Sequence, residues 1–263
     1  MAYKLIAADL DRTLLRSDGT VSDFTKETIR ACMDAGVGFT FATGRMYCSA
    51  LPIARRLELE LPLITYQGAL LKTLNGDVMH ALHLPDEIAG KLEEILRTSG
   101  MHYNIYSDEK LYFSTFGQKV MDYARHIGVE PLAAPKGLGD IQVTQYGVFD
   151  EPERIAELQQ HIAEMFGEQI HTVTSGGRFL EICHPMAQKS YGLSQLAEHL
   201  GIHRDEIIAV GDNNNDLDML QYAGLGVAVE NAVQAAKDAA NRLTASNDDD
   251  GVARLIQELI LQK

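Results

Sequence analysis

The chain has 263 residues, of which 46% are hydrophobic and 23% are charged. A chain of this length can bury a substantial core in one large domain or in two smaller ones. Its formal net charge of −14 argues against a nucleic acid as partner, because binding to a phosphate polymer depends on a surplus of Lys and Arg. A small anion is not excluded, since a metal ion and nearby cations can overcome the negative field locally.

The three cysteines, Cys32, Cys48 and Cys183, form neither a CxxC pair nor a disulfide framework. No stretch approaches the ~20 consecutive apolar residues of a membrane helix, and the first residues lead into a short apolar run without a signal region. We therefore expect a cytoplasmic protein that binds no membrane. The sequence makes no prediction of the oligomeric state.

The two ends of the chain alternate between apolar strands and helices. Strands are predicted at residues 4–8, 37–42 and 61–66, with a helix that begins after Ser22 and ends before Gly36. The alternation resumes after residue 185, with a helix to residue 200 and strands at 207–210 and 226–229. This alternation predicts an α/β fold, in which helices cover both faces of a Rossmann-like parallel sheet.

The middle of the chain has a different pattern, with short strand-like pieces between helical stretches. Strands are predicted at 103–106, 111–114, 141–149, 171–174 and 179–182, and helices at 89–97, 118–126 and 153–166. We interpret this region as an inserted α+β domain with an antiparallel sheet. The predicted boundaries assign residues 1–82 and 186–263 to a catalytic core and residues 83–185 to the insertion.

Acidic residues follow two of the predicted core strands. Asp9 and Asp11 come after the first strand, and Asp212 and Asp216 come after the strand at 207–210. Carboxylates brought together repel each other, whereas Mg²⁺ prefers carboxylate oxygens and leaves positions for a substrate phosphate. Thr43 follows the second strand, and ligands of such sheets bind outside the carboxyl ends of the strands. Each motif alone could be a polar loop with capping residues, but together they predict phosphoryl chemistry at one edge of the sheet.

The order of these motifs resembles the haloacid dehalogenase-like phosphatase superfamily, and within it the Cof-type sugar-phosphatase-like hydrolases. Segment 9–13 (DLDRT) is similar to the first motif, 42–45 (ATGR) to the second, Lys189 to the third and 211–216 (GDNNND) to the fourth. Segments 227–232 and 244–252 are also similar to this branch. The middle insertion is similar in length to the family's larger cap domain, so the resemblance covers nearly the whole chain.

The resemblance implies roles for single acidic residues. Asp9 would be the nucleophile that attacks phosphorus to form an aspartyl-phosphate. Asp11 would protonate the leaving oxygen and later accept a proton from the hydrolytic water. Mg²⁺ would be held by Asp9, Asp212 and the backbone carbonyl of Asp11, with Asp216 supporting its waters.

The resemblance also implies groups that hold the phosphate. Thr43 and Lys189 would bind the phosphoryl oxygens, whose charge must be stabilised through the transition state. Without the resemblance, a single lysine near a helix start is typical of the surface. Further contacts to phosphate or substrate are predicted for Leu10, Gly44, Arg45, Asn215 and, from the insertion, Arg178.

Two residues depart from the family pattern. Arg12 lies where many relatives have Gly, and a positive φ at this position would strain an arginine. Gln67, in the segment Gln67-Gly68-Ala69, lies where this branch usually has Asn. Because Gln is longer and reaches differently, the contacts of its side chain stay open.

These observations predict a Mg²⁺-dependent phosphomonoester hydrolase that acts on a small phosphorylated metabolite. A sugar phosphate is the leading candidate, by resemblance only. Two alternatives stay open. One is a phosphotransferase of phosphomannomutase type, which would pass the phosphoryl group to a sugar. The other is a catalytically silent sensor of phosphorylated metabolites, which Arg12 and Gln67 would favour.

Overall fold

The computed structural model of the chain describes residues 2–175 and 177–262. The chain divides into two compact units. The first unit consists of Met1–Ala81 and Gln188–Lys263, and the second consists of Leu82–Ala187, which lies between them in the sequence.

The described residues form strands and helices in both units. The strands are β1 (Leu5–Ala8), β2 (Gly38–Phe41), β3 (Leu63–Thr65), β4 (Leu70–Lys72), β5 (Val78–Ala81), β6 (His102–Ser107), β7 (Lys110–Phe113), β8 (Pro131–Ala133), β9 (Gln145–Phe149), β10 (His171–Ser175), β11 (Phe179–Cys183), β12 (Ile207–Gly211), β13 (Leu225–Val229) and β14 (Arg242–Thr244). The helices are α1 (Asp23–Asp34), α2 (Tyr47–Arg56), α3 (Asp86–Ser99), α4 (Gln118–Ile127), α5 (Pro152–Phe166), α6 (Lys189–Leu200), α7 (Leu217–Tyr222), α8 (Gln234–Ala239) and α9 (Gly251–Leu259).

A five-stranded parallel sheet forms the centre of the first unit, with the strand order β14-β13-β12-β1-β2. Strand β1 pairs with β12 on one side and β2 on the other, so that Leu5 lies opposite both Ile207 and Gly38. Every residue of β1 and β12 is buried, as their unbroken apolar sequences predict for strands covered on both faces. The predicted α/β fold with a parallel-sheet core is confirmed.

The third strand predicted for this parallel sheet belongs to a different sheet and is shorter than predicted. The segment predicted as 61–66 forms the shorter β3, which pairs antiparallel with β4, and β4 pairs with β5. One isolated parallel bridge, between Ala42 and Ile64, joins it to the end of β2. The cause is a sharp reversal of the chain at Tyr66, Gln67 and Gly68, whose φ angles are 51°, 55° and 93°. We call these three residues the 66–68 turn.

The second unit contains a six-stranded sheet with the order β10-β11-β9-β6-β7-β8. Its neighbouring strands are antiparallel except β7 and β8, which are parallel. Leu92 and Leu96 of α3 and Ile162 of α5 pack in one hydrophobic cluster with Tyr146 and Leu180 of the sheet. The inserted segment therefore has the predicted α+β composition.

The longest of the described helices, α5, has 15 residues and is about 22 Å long. A bilayer core is ~30 Å thick. Within the two described ranges, no helix is long and apolar enough to cross a membrane.

Candidate active site

Three loops lie side by side at the carboxyl edge of the parallel sheet. Asp9 directly follows β1, Asp212 directly follows β12, and Thr43 comes shortly after the end of β2. Because β1 pairs with both β2 and β12, the loop after β1 lies between the other two.

Three buried carboxylates come together at this edge. Asp9, Asp212 and Asp216 each offer one oxygen, and these oxygens lie within 4.8 Å of one another. The three residues are 6%, 3% and 0% exposed. The side chain of Asp11 is not part of this group of described residues, and the ligand predicted from Asp11 is its backbone carbonyl.

One buried ammonium group contacts two of these carboxylates. Lys189 is the first residue of α6 and is 1% exposed. Its Nζ lies 2.5 Å from Oδ1 of Asp9 and 2.6 Å from Oδ1 of Asp216. Burial alone lowers the pKa of Lys189, but the charges of Asp216 and Asp9 outweigh it, so that the pKa lies above its ordinary value. Lys189 is therefore a buried cation, and an ammonium has three donors, of which two are used.

Burial, together with the surplus of negative charge, raises the pKa of two of the acids. Burial raises the pKa of Asp9 well above its ordinary value; Lys189 opposes this shift, and Asp216 and Asp212 add to it. Burial and the neighbouring Asp216 raise the pKa of Asp212 to about 6, against the hydrogen bond from Thr13 and the charge of Lys189. Three carboxylates thus face a single ammonium, and a divalent cation would balance the difference.

The two carboxylate oxygens of each acid make different contacts. Oδ2 of Asp216 accepts hydrogen bonds from the backbone N–H groups of Asp212 (2.8 Å) and Asn213 (2.9 Å), while Oδ1 takes the ammonium of Lys189. Asp216 therefore fixes the loop that carries Asp212. Oδ2 of Asp9 and Oδ2 of Asp212 accept no hydrogen bond from the described residues. Two carboxylate oxygens that accept no hydrogen bond suit a hard cation such as Mg²⁺, so the residues present fit the predicted ion.

Two supports of this cluster were not predicted. The hydroxyl of Thr13 donates to Oδ1 of Asp212 at 3.0 Å, which leaves the other oxygen of Asp212 for a ligand. A Cβ on Gly211 would lie 2.5 Å from the Cβ of Asp216, so only glycine lets the Asp216 side chain fold under the loop. Thr13 and Gly211 lie inside the first and fourth motifs described above, respectively. Their location in these motifs was the evidence in the sequence that could have indicated a role at the site.

The residues after β2 form a second polar loop. Oγ1 of Thr43 accepts a hydrogen bond from the N–H of Arg45 at 3.2 Å and donates to no acceptor among the described residues. Its O–H is therefore available to an anion. The guanidinium of Arg45 donates to both oxygens of Asp11, from Nε at 2.7 Å and from Nη2 at 2.6 Å. This bidentate pair was not predicted, since Arg45 was assigned to the phosphate.

Other predicted site residues lie in different surroundings. Leu10 is buried in the core of the first unit. Nδ2 of Asn215 donates to Oε1 of Gln67 at 3.1 Å, and Gly44 packs against the same Gln67 side chain. Arg178 belongs to the second unit, where its guanidinium binds both oxygens of Glu151. The roles predicted for these residues stay predictions.

Two asparagines from late in the sequence hold the turn that follows Asp9. Arg12 has φ 63°, in the left-handed region that is unfavourable for arginine. Its carbonyl accepts a hydrogen bond from Nδ2 of Asn231 at 2.8 Å. Nδ2 of the buried Asn247 donates to the carbonyl of Leu15 at 2.9 Å, and the N–H of Asn247 donates to Oδ1 of Asn231. Neither asparagine was assigned a role from the sequence.

Comparisons with known proteins identify the family of the chain. The sequence profile of the haloacid dehalogenase-like hydrolases matches residues 6–256. The chain is 32% identical over 264 residues to the 5-amino-6-(5-phospho-D-ribitylamino)uracil phosphatase YitU of Bacillus subtilis, which covers 97% of this chain and 96% of that protein. YwtE, a second B. subtilis phosphatase with the same substrate in its name, is 27% identical over 283 residues, with 98% of each chain covered.

A solved structure has the same fold. The crystal structure of a haloacid dehalogenase-like hydrolase from Bacteroides thetaiotaomicron matches with a TM-score of 0.88 and 29% sequence identity, covering 98% of this chain and 100% of that chain. The family match spans both units and includes the carboxylate cluster, Thr43 and Lys189. The chain therefore belongs to the haloacid dehalogenase-like hydrolase family and is one of its phosphatases.

Proposed function

We propose that the chain is a Mg²⁺-dependent phosphomonoester hydrolase that acts on small phosphorylated metabolites through an aspartyl-phosphate on Asp9. The observation that carries this proposal is the cluster of Asp9, Asp212 and Asp216 around the ammonium of Lys189. Buried charges are unfavourable unless they are paired. A divalent cation completes the balance of this cluster and leaves a position for an anionic substrate.

Asp9 and Asp212 are the side chains that would hold Mg²⁺, each through the oxygen that accepts no hydrogen bond. The backbone carbonyl of Asp11 would be a further ligand, and Asp216 would keep Asp212 in place through the backbone of the loop. When bound, the ion supplies positive charge that stabilises the phosphoryl oxygens during transfer.

The side chains of Asp9 and Asp11 would carry out two steps. In the first, a carboxylate oxygen of Asp9 forms a bond to phosphorus, the bond from phosphorus to the leaving oxygen breaks, and that oxygen takes a proton from Asp11. In the second, a water molecule gives a proton to Asp11 while its oxygen attacks phosphorus. The bond from phosphorus to Asp9 then breaks, which releases phosphate and returns both residues to their starting forms.

Thr43 and Lys189 would hold the phosphoryl group, through the free O–H of Thr43 and the third donor of Lys189. The guanidinium of Arg45, which is predicted to bind the phosphate, donates to both oxygens of Asp11 in this structure. Protonation makes the hydroxyl oxygen of Asp11 a weaker acceptor. Proton donation by Asp11 is therefore expected to weaken one of its two contacts with Arg45.

The substrate class is proposed from the relatives. YitU and YwtE are named for an ester whose phosphate is carried by a ribityl chain. We therefore propose a phosphorylated sugar or sugar alcohol, alone or attached to a larger group, as the substrate of this chain.

The test is phosphate release from a panel of phosphorylated metabolites, with Mg²⁺ and with EDTA. The panel includes sugar phosphates, sugar-alcohol phosphates and 5-amino-6-(5-phospho-D-ribitylamino)uracil. Release that depends on Mg²⁺ supports the proposal. Phosphorus NMR detects the alternative in which the phosphoryl group moves to another sugar hydroxyl. Binding of these esters without release or transfer would contradict hydrolysis and favour a sensor.

A further inference from the structure

We propose that Gln67 is a positioning residue whose carboxamide couples two loops of the active site. These are the phosphate loop (residues 43–45) and the metal loop (residues 212–216). The inference rests on the proposed function, because it is that function which assigns phosphate and metal to the two loops.

The carboxamide of Gln67 fills the space beside Gly44. Gln67 is 4% exposed. A Cβ atom added to Gly44 would be too close to Nε2 of Gln67 for an allowed contact. It would also lie 3.0 Å from Cδ of the same side chain. The phosphate loop therefore rests directly on the carboxamide, and glycine at position 44 permits this approach. Movement of the carboxamide would move the loop or leave a gap beneath it.

The other side of the carboxamide contacts the metal loop. Oε1 of Gln67 accepts a hydrogen bond from Nδ2 of Asn215 at 3.1 Å. Asn215 precedes Asp216, whose carboxylate binds Lys189 and the backbone of Asp212. One side chain thus touches both loops, although 148 positions separate Gln67 from Asn215.

The backbone of the 66–68 turn reinforces this position. The N–H of Gln67 donates to the carbonyl of Thr43, and the N–H of Tyr66 donates to the carbonyl of Arg45, each at 3.1 Å. A Cβ on Gly68 would collide with the carbonyl of Gln188, the residue before Lys189. The turn therefore lies against the phosphate loop and against the start of α6.

The contacts of Gln67 explain why a side chain of this length lies at the position, whereas its backbone conformation does not. Its φ of 55° lies in the left-handed region, which Gly and Asn adopt more readily than Gln. A residue chosen for the turn alone would be Gly or Asn. The additional methylene of Gln lets the carboxamide lie on Gly44 and reach Asn215 at the same time.

The experiment separates backbone conformation from side-chain reach with two variants, Gln67→Ala and Gln67→Asn. Orthophosphate binding is measured by calorimetry in the presence of Mg²⁺, and the unfolding temperature by scanning calorimetry. Both variants should bind orthophosphate about three- to tenfold more weakly, the range expected for loss of one net hydrogen bond. Gln67→Asn should unfold at or above the temperature of the wild type, because Asn suits the left-handed backbone. A purely structural role would instead move affinity and unfolding temperature together.

A double-mutant cycle and a control complete the test. Asn215→Ala removes the same hydrogen bond, so Gln67→Ala with Asn215→Ala should weaken orthophosphate binding no more than the larger single change. Glu58 also has a left-handed backbone, with φ 56°, and is exposed beyond the C-terminal end of α2. Glu58→Asn relieves a similar backbone conformation far from the phosphate loop and should leave orthophosphate binding unchanged.

Orthophosphate binding by Gln67→Asn within twofold of the wild type would overturn the proposal, as would full additivity in the cycle. Because the readout is binding, it does not depend on turnover. Wild-type protein that binds orthophosphate but hydrolyses no ester contradicts the proposed hydrolysis, while the binding constants of the variants still decide the role of Gln67. Wild-type protein that binds no orthophosphate would contradict both.

Discussion

Nζ of Lys189 lies 2.5 Å from Oδ1 of Asp9, although 180 positions separate the two residues in the sequence. Both are buried, and the same ammonium also binds Asp216. The pair therefore joins the predicted nucleophile to the start of α6 inside a cluster that has more negative than positive charge. Loss of Lys189 leaves both carboxylates without their buried cation, whereas loss of the Asp9 charge leaves Lys189 paired with Asp216.

Replacement of Lys189 by Met should destabilise the metal-free protein. Removal of one partner of a buried ion pair costs about 3 to 5 kcal/mol, because a charge stays buried and unpaired. Urea unfolding in EDTA measures the free energy of unfolding. Lys91→Met is the matched control, since Lys91 pairs with Glu87 on the exposed face of α3 and its loss should change stability little. Equal effects of the two substitutions would show that the Lys189 contacts are not stabilising.

The stabilisation by Mg²⁺ should increase as the pH rises through about 6. The pKa of Asp212 is raised to about 6 from 3.8, so the metal-free fold disfavours its ionised form. This effect lowers the stability of the metal-free protein as the pH rises from about 4 to about 6. Mg²⁺ binds the ionised carboxylate, so the increase in unfolding temperature with Mg²⁺ should be small at about pH 5 and larger at about pH 7.5. Scanning calorimetry with Mg²⁺ and with EDTA measures the unfolding temperature at each pH.

The control for this pH dependence is Asp212→Asn, which removes the titrating ligand. In this variant the effect of Mg²⁺ should be small at both pH values. An equal increase in the wild type at about pH 5 and about pH 7.5 would contradict the assignment of Asp212 to the metal.

Asp9→Asn should abolish turnover and leave the fold intact. The amide has nearly the same shape as the carboxylate but is a poor nucleophile, so kcat should fall by more than about 10³-fold. The unfolding temperature in EDTA should not fall, because burial disfavours the ionised form of Asp9. Steady-state phosphate release gives kcat, with the exposed Asp34→Asn at the end of α1 as control. A kcat near that of the wild type would remove Asp9 from the role of nucleophile.

Asp11→Asn should impair alkyl phosphates far more than p-nitrophenyl phosphate. An alkoxide needs a proton as it leaves, whereas the nitrophenolate leaves without one. A proton donor contributes ~10² to 10⁴ in rate, so the contrast between the two substrates is large. Loss of the base should also slow hydrolysis of the aspartyl-phosphate, which stopped-flow measurement detects as a burst of nitrophenolate about equal to the enzyme concentration. Equal losses for both substrates without a burst would leave Asp11 with a structural or metal-site role.

The central strands could be predicted because burial on both faces makes their sequences apolar throughout, as in Leu5–Ala8 and Ile207–Gly211. Strand β14 (Arg242–Thr244) could not, because it is a short edge strand with partly exposed side chains and no apolar run. The antiparallel pairing of β3 with β4 was not predicted either. The left-handed turn that creates it contains Tyr66 and Gln67, which are not typical turn residues.

For the active site, the sequence predicted residue types and the edge of the sheet but not the contacts between loops. Lys189 was predicted to bind phosphate, and its two ion pairs with carboxylates depend on distances that spacing along the chain does not contain. The hydroxyl of Thr13 on Asp212 and the guanidinium of Arg45 on Asp11 are likewise tertiary contacts. The positive φ of Arg12 was foreseen as a source of strain, but its partner Asn231 lies 219 positions away.

The hydrogen bond from Asn247 to the carbonyl of Leu15 has a consequence for synthesis of the enzyme. The two residues are 232 positions apart, and a ribosome that adds ~5 to 20 residues per second needs roughly 10 to 50 s to pass from one to the other. For most of that time, neither Asn231 nor Asn247 has been made, so neither can hold the turn after Asp9. Strands β1 and β2 have by then already left the ribosome. The nascent chain therefore carries Asp9 for most of its synthesis without the two asparagines that hold the turn after it, and this turn is complete only after residue 247 has been made and folded back.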